Sequence, residues 1–335
     1  MTTTRAWVSH QAGGPATLAL EEVQVPRPRR NEVLVRVQAI GINFPDGLLI
    51  RDLYQVRPTR PLVPGSEFCG VVEDIGAEAT YLHRGDVVVG ATGWGAMSEY
   101  FAAAEDRLFR IPNTFPPEEA AAFVFTHATA YHALHDAGRI QAGETLLVLG
   151  AAGGIGSAAV GLGRAFGAKV IAGASTQQKV DFAMAAGATV GLTYDSDLQT
   201  GDGQRAFAAT LNELAPGGLD LVLDPVGGPY TEPAMRRLCR GGRHLVVGFA
   251  AGIPRVPLNI ALLRSCQIIG VDWRTFVERE RPANEENLKS LFAMWQREQI
   301  HPTVTELFPF EEAPAAIARV EERRAIGKIV VSFHA

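Results

Sequence analysis

The run Leu146-Leu-Val-Leu-Gly-Ala-Ala-Gly-Gly-Ile-Gly leads a hydrophobic strand into a glycine-rich turn and then into a helix of small residues. A phosphate ester needs backbone N–H groups at a helix N-terminus and no side chains where it approaches. Gly153 and Gly154 supply that bare surface, flanked by Ala152 and Ile155. Gly156 lets the helix pack closely on the strand. Ala151 stands at the first glycine position of the G-x-G-x-x-G pattern. The reading therefore rests on the complete strand-turn-helix-strand unit rather than on the count of glycines. Such a unit binds the pyrophosphate of a dinucleotide.

The next strand, Lys169-Val-Ile-Ala-Gly-Ala-Ser, discriminates between nicotinamide cofactors. An NAD site ends this strand with an acid that holds the ribose 2′-hydroxyl, and here the chain continues Ala174-Ser175 instead. Ser175 offers a hydroxyl and Lys179, a helical turn on, a cation, which together suit the 2′-phosphate of NADPH. The competing reading makes Lys179 a solvated helix residue. Asp181, the nearest acid, lies further into the helix. Tyr194, after the third strand, either flanks the adenosine phosphate or closes the sheet edge.

Metal chemistry lacks its ligands. The three cysteines, Cys69, Cys239 and Cys266, are scattered, and a structural zinc site takes about four ligands. His127, His132 and His135 are the nearest thing to a cluster. Positions 132 and 135 share a helix face, but two imidazoles are too few.

These groups need a scaffold. About 110 N-terminal residues read as short strands between Gly and Pro turns, as in Val33-Leu-Val-Arg-Val-Gln and Gly85-Asp-Val-Val-Val-Gly, which points to a β-barrel-like domain. From Pro116 the pattern turns helical, and strands then alternate with helices to about Phe249, which points to a parallel sheet. The amphipathic segment after Glu311 and the strand from Lys328 are expected to rejoin the first domain. The expected division is 1–125 with 274–335, and 126–273.

Composition excludes several classes. At 335 residues, 47% apolar and 20% charged, the chain is long enough for two domains of roughly 100–200 residues each and is not a disordered polymer. With 31 Lys and Arg against 36 Asp and Glu, the net charge is −5 and no basic block marks a nucleic-acid partner. The uncharged run Thr145 to Gly163 approaches membrane-spanning length, but its glycines read as strand, turn and buried helix. The N-terminus has no apolar run like a secretory signal, and the few cysteines suit a reducing compartment, so a cytoplasmic protein is expected.

Together these residues resemble the medium-chain dehydrogenase/reductase superfamily, in its zinc-free quinone oxidoreductase (ζ-crystallin-like) branch. The likeness is carried by Gly41-Ile-Asn-Phe-Pro-Asp, Pro64-Gly-Ser-Glu-Phe-Cys-Gly-Val-Val, His83-Arg-Gly-Asp-Val-Val and Thr129-Ala-Tyr-His-Ala-Leu. The glycine turn, Asp224-Pro-Val-Gly-Gly, Gly248-Phe-Ala and the terminal Gly327-Lys-Ile-Val complete it. The resemblance implies an α/β fold made of a GroES-like β-barrel catalytic domain from both chain ends and a doubly wound Rossmann domain between them. In zinc-dependent relatives a Cys and a Gly-His-Glu motif bind metal, whereas the matching positions here are Asn43 to Asp46 and Gly65-Ser66-Glu67. By the same resemblance Asn43 donates to the acceptor, Tyr54 orients it or relays a proton, and Asp46 lies nearby. The alternatives are loop packing for Tyr54, and pairing with Arg51 or fixing of the loop for Asp46. Thr129 approaches the nicotinamide, Phe249 and Ala250 run under its ribose, and residues 270–273 form a strand beside its carboxamide. Family members pair this strand with a second subunit, implying a homodimer. The resemblance assigns Arg324, or Arg323 in its place, to a cofactor phosphate, the alternative being a solvated helix end. Trp273-Arg274 departs from the Trp-Gly common in this branch.

The cofactor carries hydride chemistry, so few catalytic side chains are required. The resemblance therefore implies reduction of quinones or other small conjugated carbonyls. Two alternatives stand beside it: an enoyl-thioester reductase, for which Arg51, Arg57 and Arg60 would make a basic entrance, and a non-catalytic NADPH-binding protein.

Overall fold

The computed structural model describes residues 2–194, 198 and 201–333. The chain forms two compact units, Met1–Phe125 with Pro302–Ala335, and Thr126–His301. Its strands are β1 (Thr3–Val8), β2 (Ala19–Gln24), β3 (Glu32–Ile42), β4 (Glu67–Ile75), β5 (Val87–Ala91), β6 (Tyr100–Ala104) and β7 (Leu108–Arg110). Then follow β8 (Thr145–Leu149), β9 (Lys169–Ala174), β10 (Val190–Thr193), β11 (Leu219–Asp224), β12 (Leu238–Val246) and β13 (Gln267–Gly270). The chain ends through β14 (Val304–Pro309) and β15 (Lys328–Ser332).

Strand β3 organises the first unit. Its alternation sends Val33, Val35 and Val37 into the core, as the two-residue period of a half-buried strand requires. It pairs antiparallel with β4, with β6 along its first half and with β15 along its second. The sheet order β14-β15-β3-β4-β5-β7 covers a core that includes Phe68, Met97, Phe101 and Phe310. The C-terminal strand thus lies beside β3, as the sequence leads one to expect.

In the second unit six parallel strands run in the order β10-β9-β8-β11-β12-β13. This is doubly wound topology, and the order reverses between β8 and β11, where such sheets take their ligands. The sheet buries Leu147, Leu149, Ile171 and Val222 on one side against Phe207 and Leu211. The run Thr145 to Gly163 divides into β8 and the helix Gly154–Ala165, and no helix among the described residues is long and apolar enough to cross a membrane.

The structure places residues 274–301 in the second unit rather than the first. The strand expected at 270–273 stops at Gly270, and Asp272 caps a helix over Trp273–Arg279 by accepting the Thr275 N–H at 3.2 Å. A second helix follows over Arg281–Gln296. Asn284 accepts from Trp273 Nε1 at 3.1 Å, and Asn287 Nδ2 donates to Asp136 at 2.7 Å. These polar contacts anchor the segment to its own unit.

Candidate functional site

The glycine turn is built as a phosphate cradle. Gly153 caps the twelve-residue helix Gly154–Ala165 in an extended conformation and is exposed, with Gly154 and Ile155 half-buried behind it. A Cβ on Gly156 would lie 2.1 Å from the Gly150 carbonyl oxygen, so this glycine is dictated by packing within the turn. Gly153 is different: a Cβ there would meet nothing closer than 3.4 Å, and its φ of −81° suits any residue. The fold does not require glycine at 153. A ligand approaching the helix N-terminus does, which is the fit expected of a pyrophosphate.

Two supports hold the turn from below. Tyr194 is buried against Tyr230 and Phe207, and its hydroxyl accepts the Gly150 N–H at 3.0 Å. Burial raises the Tyr194 phenol well above its ordinary range, so it is a neutral prop. Tyr194 thus follows the end strand β10, as the edge alternative has it, with its ring turned into the core and its hydroxyl bracing the turn. The second support is Asp224 at the end of β11. Its Oδ1 accepts the N–H groups of Val226 (2.9 Å) and Gly227 (2.7 Å), and its Oδ2 takes the Thr231 hydroxyl (2.6 Å) and His244 Nε2 (3.1 Å). Burial opposes the Asp224 charge, but His244 and these donors hold its pKa below the usual range. The loop so fixed brings Val226 within 2.9 Å of where a Gly150 Cβ would stand, and Ala251 N–H bonds back to Val226 at 2.7 Å. That return places Phe249, 48% exposed, and Ala250 at the same end of the sheet as the turn.

Beyond β9, Ser175 is half-buried and Thr176 caps the helix Gln177–Ala185, its hydroxyl accepting the Lys179 N–H at 3.3 Å. Partial burial pulls the Lys179 ammonium below the ordinary lysine pKa, a cost that an adjacent anion would offset. Asp181, the nearest acid to the end of β9, accepts from Gln177 Nε2 at 2.8 Å. Thr129 is buried in the helical stretch that follows Val124. His132 and His135 both bond to Asp136, at 2.8 and 2.7 Å.

In the first unit the ends of β3, β4 and β15 bring four polar side chains into the interior. Lys328 Nζ donates to Asn43 Oδ1 (2.8 Å), Glu67 Oε2 (3.0 Å) and the Ile42 carbonyl (3.1 Å). All three of its protons are placed. Asn43 Nδ2 donates to Glu67 Oε2 (3.0 Å) and Gly41 O (3.2 Å), and Glu67 Oε1 accepts the Phe125 N–H at 2.7 Å. Both amide protons of Asn43 are therefore spent inside the protein, and the donor role expected of it is not available in this arrangement. Asp46 accepts the Asn43 N–H at 2.8 Å, fixing the start of the helix Phe44–Ile50, and does not pair with Arg51. Arg51 binds Glu321 in a bidentate pair at 2.8 and 3.0 Å. Tyr54 is half-buried in the loop beyond that helix. Arg324 is exposed and lies 3.6 Å from Glu322, and Arg323 is exposed in a left-handed conformation at φ 57°.

The cluster does not suit zinc. The Asn43 amide and the Ser66 hydroxyl are poor zinc ligands, and the Lys328 ammonium fills the space beside Glu67. Among the described residues no group of three or more His, Cys, Asp or Glu is arranged to hold a metal ion. Asp46 carries a pH signature. Its complete burial pushes the carboxyl up to about 6, with the Asn43 N–H and the Ser66 hydroxyl pulling the other way. A raised carboxyl stabilises the fold below its unfolded pKa and loses that contribution as pH rises through about 6. Urea melts should therefore show Asp46→Asn gaining about 2–3 kcal/mol on the wild type between the two ends of that window. A pH-independent difference would contradict this.

Sequence reasoning named Ser66 and Glu67 only as positions matching zinc ligands, and it gave no role to Lys328 in the first unit's cluster or to Asp224 under the second unit's turn. The signal available was a lysine opening the apolar strand Lys328-Ile-Val-Val, where a buried charge demands a partner.

Models of two domain families match the chain: a zinc-binding dehydrogenase model over residues 196–331 and an alcohol dehydrogenase GroES-like domain model over residues 29–113. A quinone oxidoreductase-like protein 2 from Bos taurus is 36% identical over 319 residues, covering 94% of this chain and 89% of its own. A mycobacterial protein solved in complex with NADPH superposes with a TM-score of 0.89 at 28% identity, covering 98% and 99% of the two chains. A Pseudomonas syringae quinone oxidoreductase gives 0.88 at 27% identity over the same shares. The chain belongs to the medium-chain dehydrogenase/reductase superfamily and, within it, to the quinone oxidoreductase branch. It is an oxidoreductase with a GroES-like unit and a Rossmann-like unit.

Proposed function

We propose that the protein is an NADPH-dependent, metal-independent reductase of quinones and other small conjugated carbonyl compounds. The observation that carries this reading is the end of β9, whose Gly173 carbonyl accepts the Ala151 N–H of the turn at 3.0 Å and which continues to Ser175 and Lys179 with no acid to compete for a ribose hydroxyl. The N–H groups of Ala152, Gly154 and Ile155 take the pyrophosphate, the Gly153 N–H being bonded to the Gly150 carbonyl at 2.9 Å, and Ser175 and Lys179 take the 2′-phosphate. The Thr129 hydroxyl and the backbone at Phe249 and Ala250 hold the nicotinamide half. When bound, the cofactor supplies hydride from its nicotinamide ring to the electrophilic carbon of the acceptor. Asn43 and Asp46 act by positioning, because their polar atoms fix the loop after β3, while the Tyr54 hydroxyl orients the acceptor.

A basic entrance for a thioester is poorly supported. Arg51 is engaged by Glu321, and Arg60 by Asp52 at 2.9 Å and the Ile50 carbonyl at 2.8 Å. Initial rates with phenanthrenequinone, benzoquinone and crotonyl-CoA separate the readings, and a preference for the thioester would overturn the first. Lys179→Ala should weaken NADPH by about 1.5–3 kcal/mol, tenfold or more, and leave NADH binding unchanged. Equal loss for both cofactors would refute the assignment.

The protein acts as a homodimer. β13 is an end strand with an open edge of the kind that pairs with a second copy, and Ile253, Leu258, Leu262 and Leu263 nearby in sequence are 75–81% exposed. Light scattering should give a dimer for the wild type and a monomer for Leu262→Asp/Leu263→Asp; a monomeric wild type would refute it.

A further inference from the structure

Several of the first unit's exposed large apolar side chains lie on the segments that build the Asn43–Glu67–Lys328 cluster. Phe44 follows Asn43 directly and is 37% exposed, Leu53 lies just past the same helix, and Trp94 is 40% exposed on the loop after β5. That loop is fastened to the chain next to Glu67: Thr92 and Gly93 donate to the Ser66 carbonyl, Gly95 to Val63, and Met97 to Pro64. Gly93 and Gly95 both have positive φ, at 90° and 107°, and the Thr92 hydroxyl bonds the Trp94 carbonyl at 3.0 Å. The backbone is thus shaped to hold Trp94 outward at a fixed place. One exposed apolar residue needs no explanation, but an indole with a second aromatic beside one buried polar cluster does.

Resting on the reductase reading above, we propose that Trp94, with Phe44, is the specificity-determining platform on which a planar conjugated acceptor stacks, so that the enzyme selects fused or ring quinones over acyclic enones. Aromatic faces favour an offset parallel ring, and the gain grows with the area of the partner. A flexible acyclic enone offers little area to stack. The loop's attachment to Ser66 ties the platform to the cluster that fixes Asn43, so that ring position and acceptor loop are set together.

Two readouts test this on the full chain. In steady state with NADPH, Trp94→Leu should raise KM for phenanthrenequinone roughly three- to tenfold with kcat little changed, and Trp94→Phe should restore most of it. KM for methyl vinyl ketone should hardly move. Without cofactor, phenanthrenequinone should quench the tryptophan fluorescence of the wild type, and the saturable part should vanish in Trp94→Leu. Quenching that persists in Trp94→Leu, or equal changes for quinone and enone, would overturn the platform. A wild type that binds phenanthrenequinone through Trp94 but oxidises no NADPH would retain the platform and sink the reductase reading.

Discussion

Lys328→Met should cost the fold roughly 3–5 kcal/mol, because it leaves the Glu67 carboxylate buried without its cation. Lys328 and Glu67 are 5% and 0% exposed in their side chains, so solvent cannot replace the lost partner. Asn43 would also lose the ammonium that holds its carbonyl oxygen, and with it the fixed loop after β3. The design of the test lies in the second partner. Glu67→Gln/Lys328→Met removes both charges, and a buried pair replaced as a unit is often close to neutral. Thermal or urea unfolding should therefore show the double variant recovering most of the loss. If Lys328→Met melts like the wild type, the buried pair is not what holds these strand ends together.

The second large effect falls on the glycine turn. Gly156→Ala puts a methyl group 2.1 Å from the Gly150 carbonyl oxygen and 2.9 Å from Ala151 Cα, and both obstacles are backbone. Relief requires the turn itself to move, at a strain of roughly 1–3 kcal/mol, and the N–H groups assigned to pyrophosphate move with it. NADPH affinity should fall about five- to hundredfold by fluorescence titration. Gly161→Ala is the control. It lies on the same helix, its nearest neighbour is 4.0 Å away, and it should bind NADPH normally while gaining roughly 0.5–1 kcal/mol of stability. Equal affinity in both variants would remove the turn from the cofactor site.

Those contrasts explain which parts of the molecule could be read from the chain. The strand, turn and helix around Gly150 are contiguous, so local periodicity and glycine placement were enough to define them, and the parallel sheet followed from alternation. Lys328 and Glu67 are 261 residues apart, and no local pattern says that two strand ends will meet. The same limit misplaced residues 274–301: an amphipathic segment announces that it packs, but Asn287 reaching Asp136 decides where. Asn43 was expected near Asp46, whose carboxylate does take its N–H, yet its donor capacity depended on Lys328, which turns the amide oxygen to itself and sends both side-chain N–H groups inward. Tyr194 was left with two alternatives, since a strand-end tyrosine reads the same whether it points to solvent or, as here, into Tyr230 and Phe207.

The most direct test of the account is the initial rate of cofactor oxidation by the purified protein with phenanthrenequinone, run in parallel with NADPH and NADH. The account predicts saturable turnover with NADPH, a kcat/KM for NADPH at least tenfold above that for NADH, and loss of that preference in Lys179→Ala. No oxidation of either cofactor with any quinone or enone, or equal use of the two, would contradict it.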